Sequence, residues 1–230
     1  MFGLVPEAAV KTGGNDRGIF AGASGGISTT PVLTLEADLS HIDIAKSVKG
    51  YVGAEQVADP QQKKVANCFK GADGVVITAG VPPKTGSTRD DLFNTNAGIV
   101  RDLTSAIADN CPKALIAIIT TPVNLCVPTA AEVLKSKGKY YPLRFFGVST
   151  LDIVLARKFI SDSCKVGVNT VDIPVIGGHS GVTNIPVVSQ CKPKVSFSQP
   201  GLEKITVRIQ EAGKEGVKAK AGTRRGLKRF

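Results

Sequence analysis

Short apolar runs rich in β-branched residues alternate along this chain with segments of helical period, and that alternation restricts the fold more than any other feature. Strands are expected over Gly18–Gly22, Val75–Ala79, Ala114–Thr120, Phe145–Val148, Val171–Ile176 and Ile185–Ser189. Several are apolar at every position, as strands covered on both faces should be. Parallel strands cannot be joined by a tight turn; they need a crossover of about a dozen residues or more, usually a helix. The pattern therefore implies an α/β fold with a mainly parallel sheet.

Start and stop signals place the helices. Thr88-Arg89-Asp90-Asp91 reads as a capping box opening a helix to about Asn110, with Leu92, Ile99, Val100, Leu103 and Ile107 on its apolar face. Thr129 with Glu132 marks a second helix that Gly138 ends, and Ser149 with Asp152 a third reaching about Ser161. A weaker helix runs from about Leu202 toward Val217, interrupted by Gly213 and Gly216.

At 230 residues and 42% hydrophobic content, the chain can bury the core of one large domain or two small ones. No apolar stretch approaches the length of a membrane-spanning helix. Glu7, Lys11, Asp16 and Arg17 interrupt the first twenty residues, which argues against a secretory signal and fits a mitochondrial presequence poorly. The net charge of +10 is concentrated at one end: seven basic residues lie between Lys214 and Phe230 against Glu215 alone. With the body nearly balanced, a solvated tail is favoured over a nucleic-acid surface. Five cysteines at irregular spacing, without a CxxC and with only two histidines, fit reduced intracellular thiols and no metal site.

Five features bear on chemistry. Gly22-Ala23-Ser24-Gly25-Gly26-Ile27-Ser28 follows an apolar strand, where glycines let backbone N–H groups approach a pyrophosphate; an ordinary glycine-rich turn fits as well. The loop Ala79–Arg89 follows the strand Val75–Ala79, where Lys84 and Arg89 offer donors to an anion or simply meet solvent. Asn96 falls on the buried stripe of its helix and must find partners, in backbone or in a ligand, with backbone slightly favoured. Asp152 shares a helical face with Leu155, Ala156 and Phe159, so its carboxylate needs a donor, and His179 is a candidate. Paired glycines beside His179 leave room for an approaching group, and a histidine oriented by a carboxylate is a general base near neutral pH.

Together these segments become recognisable. Thr88–Val100, Thr150–Val154 and Pro174–Gly181, continued by Arg208–Gly213 and Val217–Gly222, resemble the NAD-dependent malate dehydrogenases of the mitochondrial and bacterial branch of the lactate/malate dehydrogenase family. The likeness runs in consistent order from about Gly18 to Gly222. It implies a Rossmann-type, doubly wound parallel sheet over residues 15–125, a partial α/β substrate domain over 126–222 and a basic tail over 223–230. It also implies oxidation of malate to oxaloacetate with NAD, a place in the tricarboxylic acid cycle, a homodimer and the mitochondrial matrix, with the cytoplasm as the alternative. By the same resemblance His179 is the general base, Asp152 its orienting carboxylate and Arg89 a substrate contact. Gly22, Gly25 and Gly26 match the pyrophosphate turn, and Ile27, Asn96 and Ile119 fall where the family touches the cofactor.

The departures are specific. Pro83 and Leu155 stand where the family has its two other carboxylate-binding arginines, and Thr121 where it has a substrate-contacting asparagine. Arg157 lies two positions from Leu155, about 200° around the helix. Two missing bidentate contacts correspond to roughly 3–6 kcal/mol of transition-state binding, of which Lys84 could restore part of one. Ser28 replaces the third glycine, the crossover between Ser28 and Val32 is short, and Glu36 is the nearest stand-in for the ribose-binding acid. After Gly222 the family pattern gives way to a basic segment, which predicts uncovered apolar sheet surface. Two further readings follow. One is an impaired copy that binds dinucleotide or joins an intact subunit; the other is a tail that binds acidic surfaces or nucleic acid.

Overall fold

The computed structural model describes the backbone of residues 8–12, 18–22, 48–52, 68–81 and 89–219, and the side chains of 68–81, 93–213 and 215. The basic tail over 223–230, Gly25, Gly26, Ile27, Ser28, Glu36, Pro83 and Lys84 lie outside the described residues. The chain divides into two compact units, Met1–Val148 and Ser149–Phe230.

The first unit is built on a six-stranded sheet in the order β3-β1-β2-β4-β5-β6. Its strands are β1 (Ala8–Thr12), β2 (Gly18–Gly22), β3 (Val48–Val52), β4 (Gly74–Ile77), β5 (Leu115–Ile118) and β6 (Phe145–Gly147). Strands β2, β4, β5 and β6 pair in parallel, as expected, with Ile77 opposite Ala21 on one side and Ile118 on the other. Helix α1 (Arg89–Asn110) carries the chain from β4 to β5, and α2 (Val123–Ser136) from β5 to β6. These are the crossovers that parallel neighbours require. Strand β1 runs antiparallel to both β2 and β3 and was not anticipated. Both AAVKT and VKGYV hold a lysine and lack a continuous apolar run.

The core of this unit lies between one face of the sheet and the two helices. Val75, Ile77, Ile116 and Ile118 point into it and meet Val100, Leu103 and Ile107 of α1 and Cys126, Ala130 and Leu134 of α2. Burial alternates along β5, with Leu115 half exposed between buried neighbours. Apolar composition at every position therefore does not mean equal cover on both faces here. Helix α2 begins six residues before the expected start at Thr129. Thr129 sits inside it, donating its hydroxyl to the Leu125 carbonyl, a bond that helix-interior threonines commonly make. Pro128, also inside the helix, gives the segment a false appearance of a boundary.

The second unit comprises α3 (Thr150–Cys164), the hairpin of β7 (Val175–Gly177) with β8 (Asn184–Pro186), and α4 (Gln199–Ala219). Its core joins Ala156, Phe159 and Ile160 of α3 to Ile205 and Ile209 of α4, with Val171, Ile173 and Cys191. The Arg208 guanidinium lies 4.1 Å from the centre of the Phe159 ring. Regular pairing in the hairpin is shorter than the apolar runs suggested, because Pro174, whose carbonyl accepts from the Val187 N–H, has no N–H to return. Asp172 and Lys192 add only an isolated bridge. The boundary between units falls at Val148/Ser149 instead of the expected 125/126. The reason is β6: it pairs with β5, so α2 and β6 complete the first sheet.

No disulfide joins the five cysteines. Among the described residues no helix is long and apolar enough to cross a membrane. Burial pushes the Cys126 thiol up to about 11. A folded-state value above the usual 9.0 stabilises the fold at neutral pH, and that contribution declines as pH rises toward about 11, because the unfolded chain ionises first. Alkylation of the native protein at mildly alkaline pH should therefore spare Cys126, which mass spectrometry of the labelled peptides checks. Ile118→Ala, at a wholly buried position, should cost about 2–5 kcal/mol in chemical denaturation. Leu143→Ala, at a position 90% exposed, should change stability by no more than about 0.5 kcal/mol.

Candidate functional site

In the first unit, a polar tie joins the ends of two neighbouring strands. Asn96 is 1% exposed on the core stripe of α1. Its Oδ1 accepts from the Val81 N–H at 2.7 Å, while Nδ2 donates to the Val81 carbonyl at 3.3 Å and to the Thr121 carbonyl at 2.6 Å. Val81 follows β4 and Thr121 follows β5, so one amide fastens both carboxyl ends to the helix between them. Thr120 reinforces the tie, its hydroxyl donating to the Ala79 carbonyl at 2.7 Å. A Cβ on Gly80 would meet Thr120 Cγ2 at 3.1 Å and Asn96 Oδ1 at 3.2 Å, so the missing side chain permits this close approach. Ile119, beside the tie, is 41% exposed. Strand carboxyl ends are where open parallel sheets hold ligands.

In the second unit, Asp152 lies in the first turn of α3, where the helix N-terminus favours negative charge. Ser149, at the expected helix start, makes no side-chain cap, and the Asp152 carboxylate turns to His179. His179 Nδ1 lies 2.6 Å from Asp152 Oδ2, with the two side chains 27% and 10% exposed. A carboxylate can only accept, so the proton of this bond belongs to Nδ1 and the basic lone pair of a neutral ring to Nε2.

The turn that carries His179 is held shut at its neck. Gly178 N–H donates to the Thr183 carbonyl at 2.8 Å, and Thr183 N–H to the Ser180 carbonyl at 3.0 Å. Gly177, at φ 86°, occupies the left-handed region; a Cβ there would lie 2.1 Å from the Thr183 oxygen. No other residue fits that neck without moving the backbone.

Gly22 ends β2 and Arg89 opens α1. Leu155 is half-buried against the second core, and Arg157 Nη2 lies 3.4 Å from the Val168 carbonyl. Asn96 meets backbone, as slightly favoured. Thr120 and Gln210 were not anticipated; Gln210 Nε2 donates to the Asn184 carbonyl at 2.9 Å. Bonds from a side chain to a distant backbone carbonyl leave no spacing signature in the sequence.

Residues 22–147 match the lactate/malate dehydrogenase NAD binding domain, and residues 149–225 the lactate/malate dehydrogenase alpha/beta C-terminal domain. The chain belongs to the lactate/malate dehydrogenase family. The two matches meet where the two compact units meet. The mitochondrial malate dehydrogenase of Bos taurus is 56% identical over 196 residues, covering 85% of this chain and 55% of that protein. The mitochondrial malate dehydrogenase of Homo sapiens is 55% identical with the same coverage. The chain thus spans about half the length of these relatives. Among solved structures, the apo malate dehydrogenase of Picrophilus torridus shares the fold at TM-score 0.71 and 24% identity, covering 89% of this chain and 62% of that one. A lactate dehydrogenase of Cryptosporidium parvum, complexed with lactic acid and nicotinamide adenine dinucleotide, aligns at TM-score 0.60 and 25% identity. That alignment covers 70% of this chain and 52% of that one.

Asn96→Ala removes both ends of the strand tie. It should lower stability by about 2–4 kcal/mol, since each buried backbone group left without a partner costs about 1–3 kcal/mol. Hydrogen exchange should show the loss first at the Val81 amide.

Proposed function

We propose that this chain takes part in NAD-dependent oxidation of malate to oxaloacetate, with His179 as general base and Asp152 as its orienting carboxylate. The observation that carries the reading is the 2.6 Å bond between His179 Nδ1 and Asp152 Oδ2 in a family of hydroxy-acid dehydrogenases. The described residues fit a dinucleotide. An exposed isoleucine, Ile119, offers an apolar surface at the end of β5, and Gly22 ends β2 without a side chain. Asn96 ties the backbone at Val81 and Thr121, two residues from Ile119. We assign Gly22, Gly25, Gly26, Ile27, Asn96 and Ile119 to the cofactor and Arg89 to the substrate carboxylate beside the reacting carbon. When bound there, NAD would supply the hydride acceptor for the carbon bearing the hydroxyl. His179 Nε2 takes the hydroxyl proton as the carbonyl forms, and Asp152 stabilises the resulting imidazolium and holds the ring in one tautomer.

The mitochondrial relatives support the matrix as the compartment, and the family resemblance supports a homodimer or association with an intact subunit. One observation favours a second reading, an impaired copy that keeps dinucleotide affinity. Leu155 packs into the core and Arg157 is directed to the Val168 carbonyl, so neither matches the family's arginine.

Oxidation of NADH by oxaloacetate separates the readings. Turnover is expected in the unmodified protein and should vanish in His179→Ala, while NADH fluorescence still reports binding. Asp152→Asn should lower kcat by about 10³–10⁴. Equal rates in the unmodified protein and His179→Ala would overturn the enzymatic reading, and retained NADH binding would then support the second.

A further inference from the structure

The sheet register shows what holds the His179 turn from behind. In β7–β8, Val175 lies opposite Pro186, Ile176 opposite Ile185 and Gly177 opposite Asn184. Hydrogen-bonded and non-hydrogen-bonded pairs alternate in an antiparallel ladder. Gly178 N–H donates to Thr183 O, so the next pair along, Gly177–Asn184, is a non-bonded one. The Asn184 carbonyl therefore points away from β7, toward the outer edge of the ribbon. An edge carbonyl that is buried needs a partner from outside the sheet. Asn184 is 3% exposed, and the Gln210 amide supplies that partner at 2.9 Å.

Gln210 is well placed to transmit position. It follows Ile209, which is 1% exposed and sits in the core that joins α4 to α3. The same α3 carries Asp152. The His179 turn is thus gripped at two points: at its tip through Nδ1 to α3, and at its neck through Asn184 to α4. We infer that Gln210 is a positioning residue, whose amide holds the β7–β8 neck so that His179 Nδ1 stays bonded to Asp152. Gln210 acts through the backbone and touches neither substrate nor cofactor. The inference rests on the proposed role of His179 for its catalytic consequence, but not for its structural one.

The test uses the whole chain and reads the imidazole directly. The protein has two histidines, so His41→Gln leaves one ring and assigns its signals. The unmodified neck should give a low-field Nδ1–H proton resonance protected from solvent exchange, and Asp152→Asn should abolish it. Gln210→Met keeps the length and apolar stem of the side chain but cannot donate. It should lose that resonance and lower kcat about 10- to 100-fold with KM little changed, the size expected for a displaced catalytic group. Gln210→Lys, whose ammonium can still donate to the Asn184 carbonyl, should retain the resonance in a helix of equal content by circular dichroism. A resonance unchanged in Gln210→Met, or lost equally in Gln210→Lys, would overturn the inference whatever the turnover. If the unmodified chain shows no turnover but Gln210→Met still loses the resonance, the proposed reaction fails and the positioning role stands.

Discussion

A buried carboxylate facing an imidazole at 2.6 Å is the constraint around which the second unit is organised. Burying an ionised group without a donor costs several kcal/mol, and at Asp152 the contact from His179 and the helix N-terminus offset that cost. That requirement propagates outward. The ring must arrive on a turn tight enough to present it, the turn needs Gly177 in a left-handed conformation, and its neck must be tied to something rigid. The helices α3 and α4, joined through Phe159, Ile160, Ile205 and Ile209, provide that rigidity.

The first unit answers a different demand. A parallel sheet leaves backbone groups unsatisfied where its strands end, at the same place where a ligand is expected to approach. Asn96 and Thr120 satisfy them with side-chain groups and keep the strand ends in a fixed relation to α1. Apolar packing beneath the tie does the bulk of the stabilising, while the tie decides the shape of the surface above it.

Much of this was legible in the sequence, for identifiable reasons. The parallel strands announced themselves by β-branched runs, and α1 by its capping box and apolar stripe. The Asp152–His179 pair was legible because a carboxylate on an apolar helical face demands a donor, and His179, beside paired glycines, was a candidate. Other features were hidden by competing local signals. Pro128 and Thr129 imitate a helix start inside α2, and Pro174 shortens a strand whose apolar run begins before it. Ser149 and Asp152 have the spacing of a capping box, but the tertiary partner won the carboxylate. Strands β1 and β3 lack the composition that marks the others, and the bonds of Thr120 and Gln210 go to distant backbone, which no spacing rule detects.

The bonding of Asn96 carries a consequence for which side chains this position can accept. It uses one acceptor and two donors of a planar amide against backbone groups that follow two different strands. Aspartate has the right length but, when ionised, would set a negative charge against two carbonyl oxygens. Leucine shares the branching at Cγ but is bulkier and offers neither function. Glutamine carries the same chemistry one methylene further out, past atoms that are already in place. Each of the three nearest alternatives thus fails for a separate reason, and the site tolerates replacement less well than the large aliphatic positions of the same helix, where volume alone must be preserved.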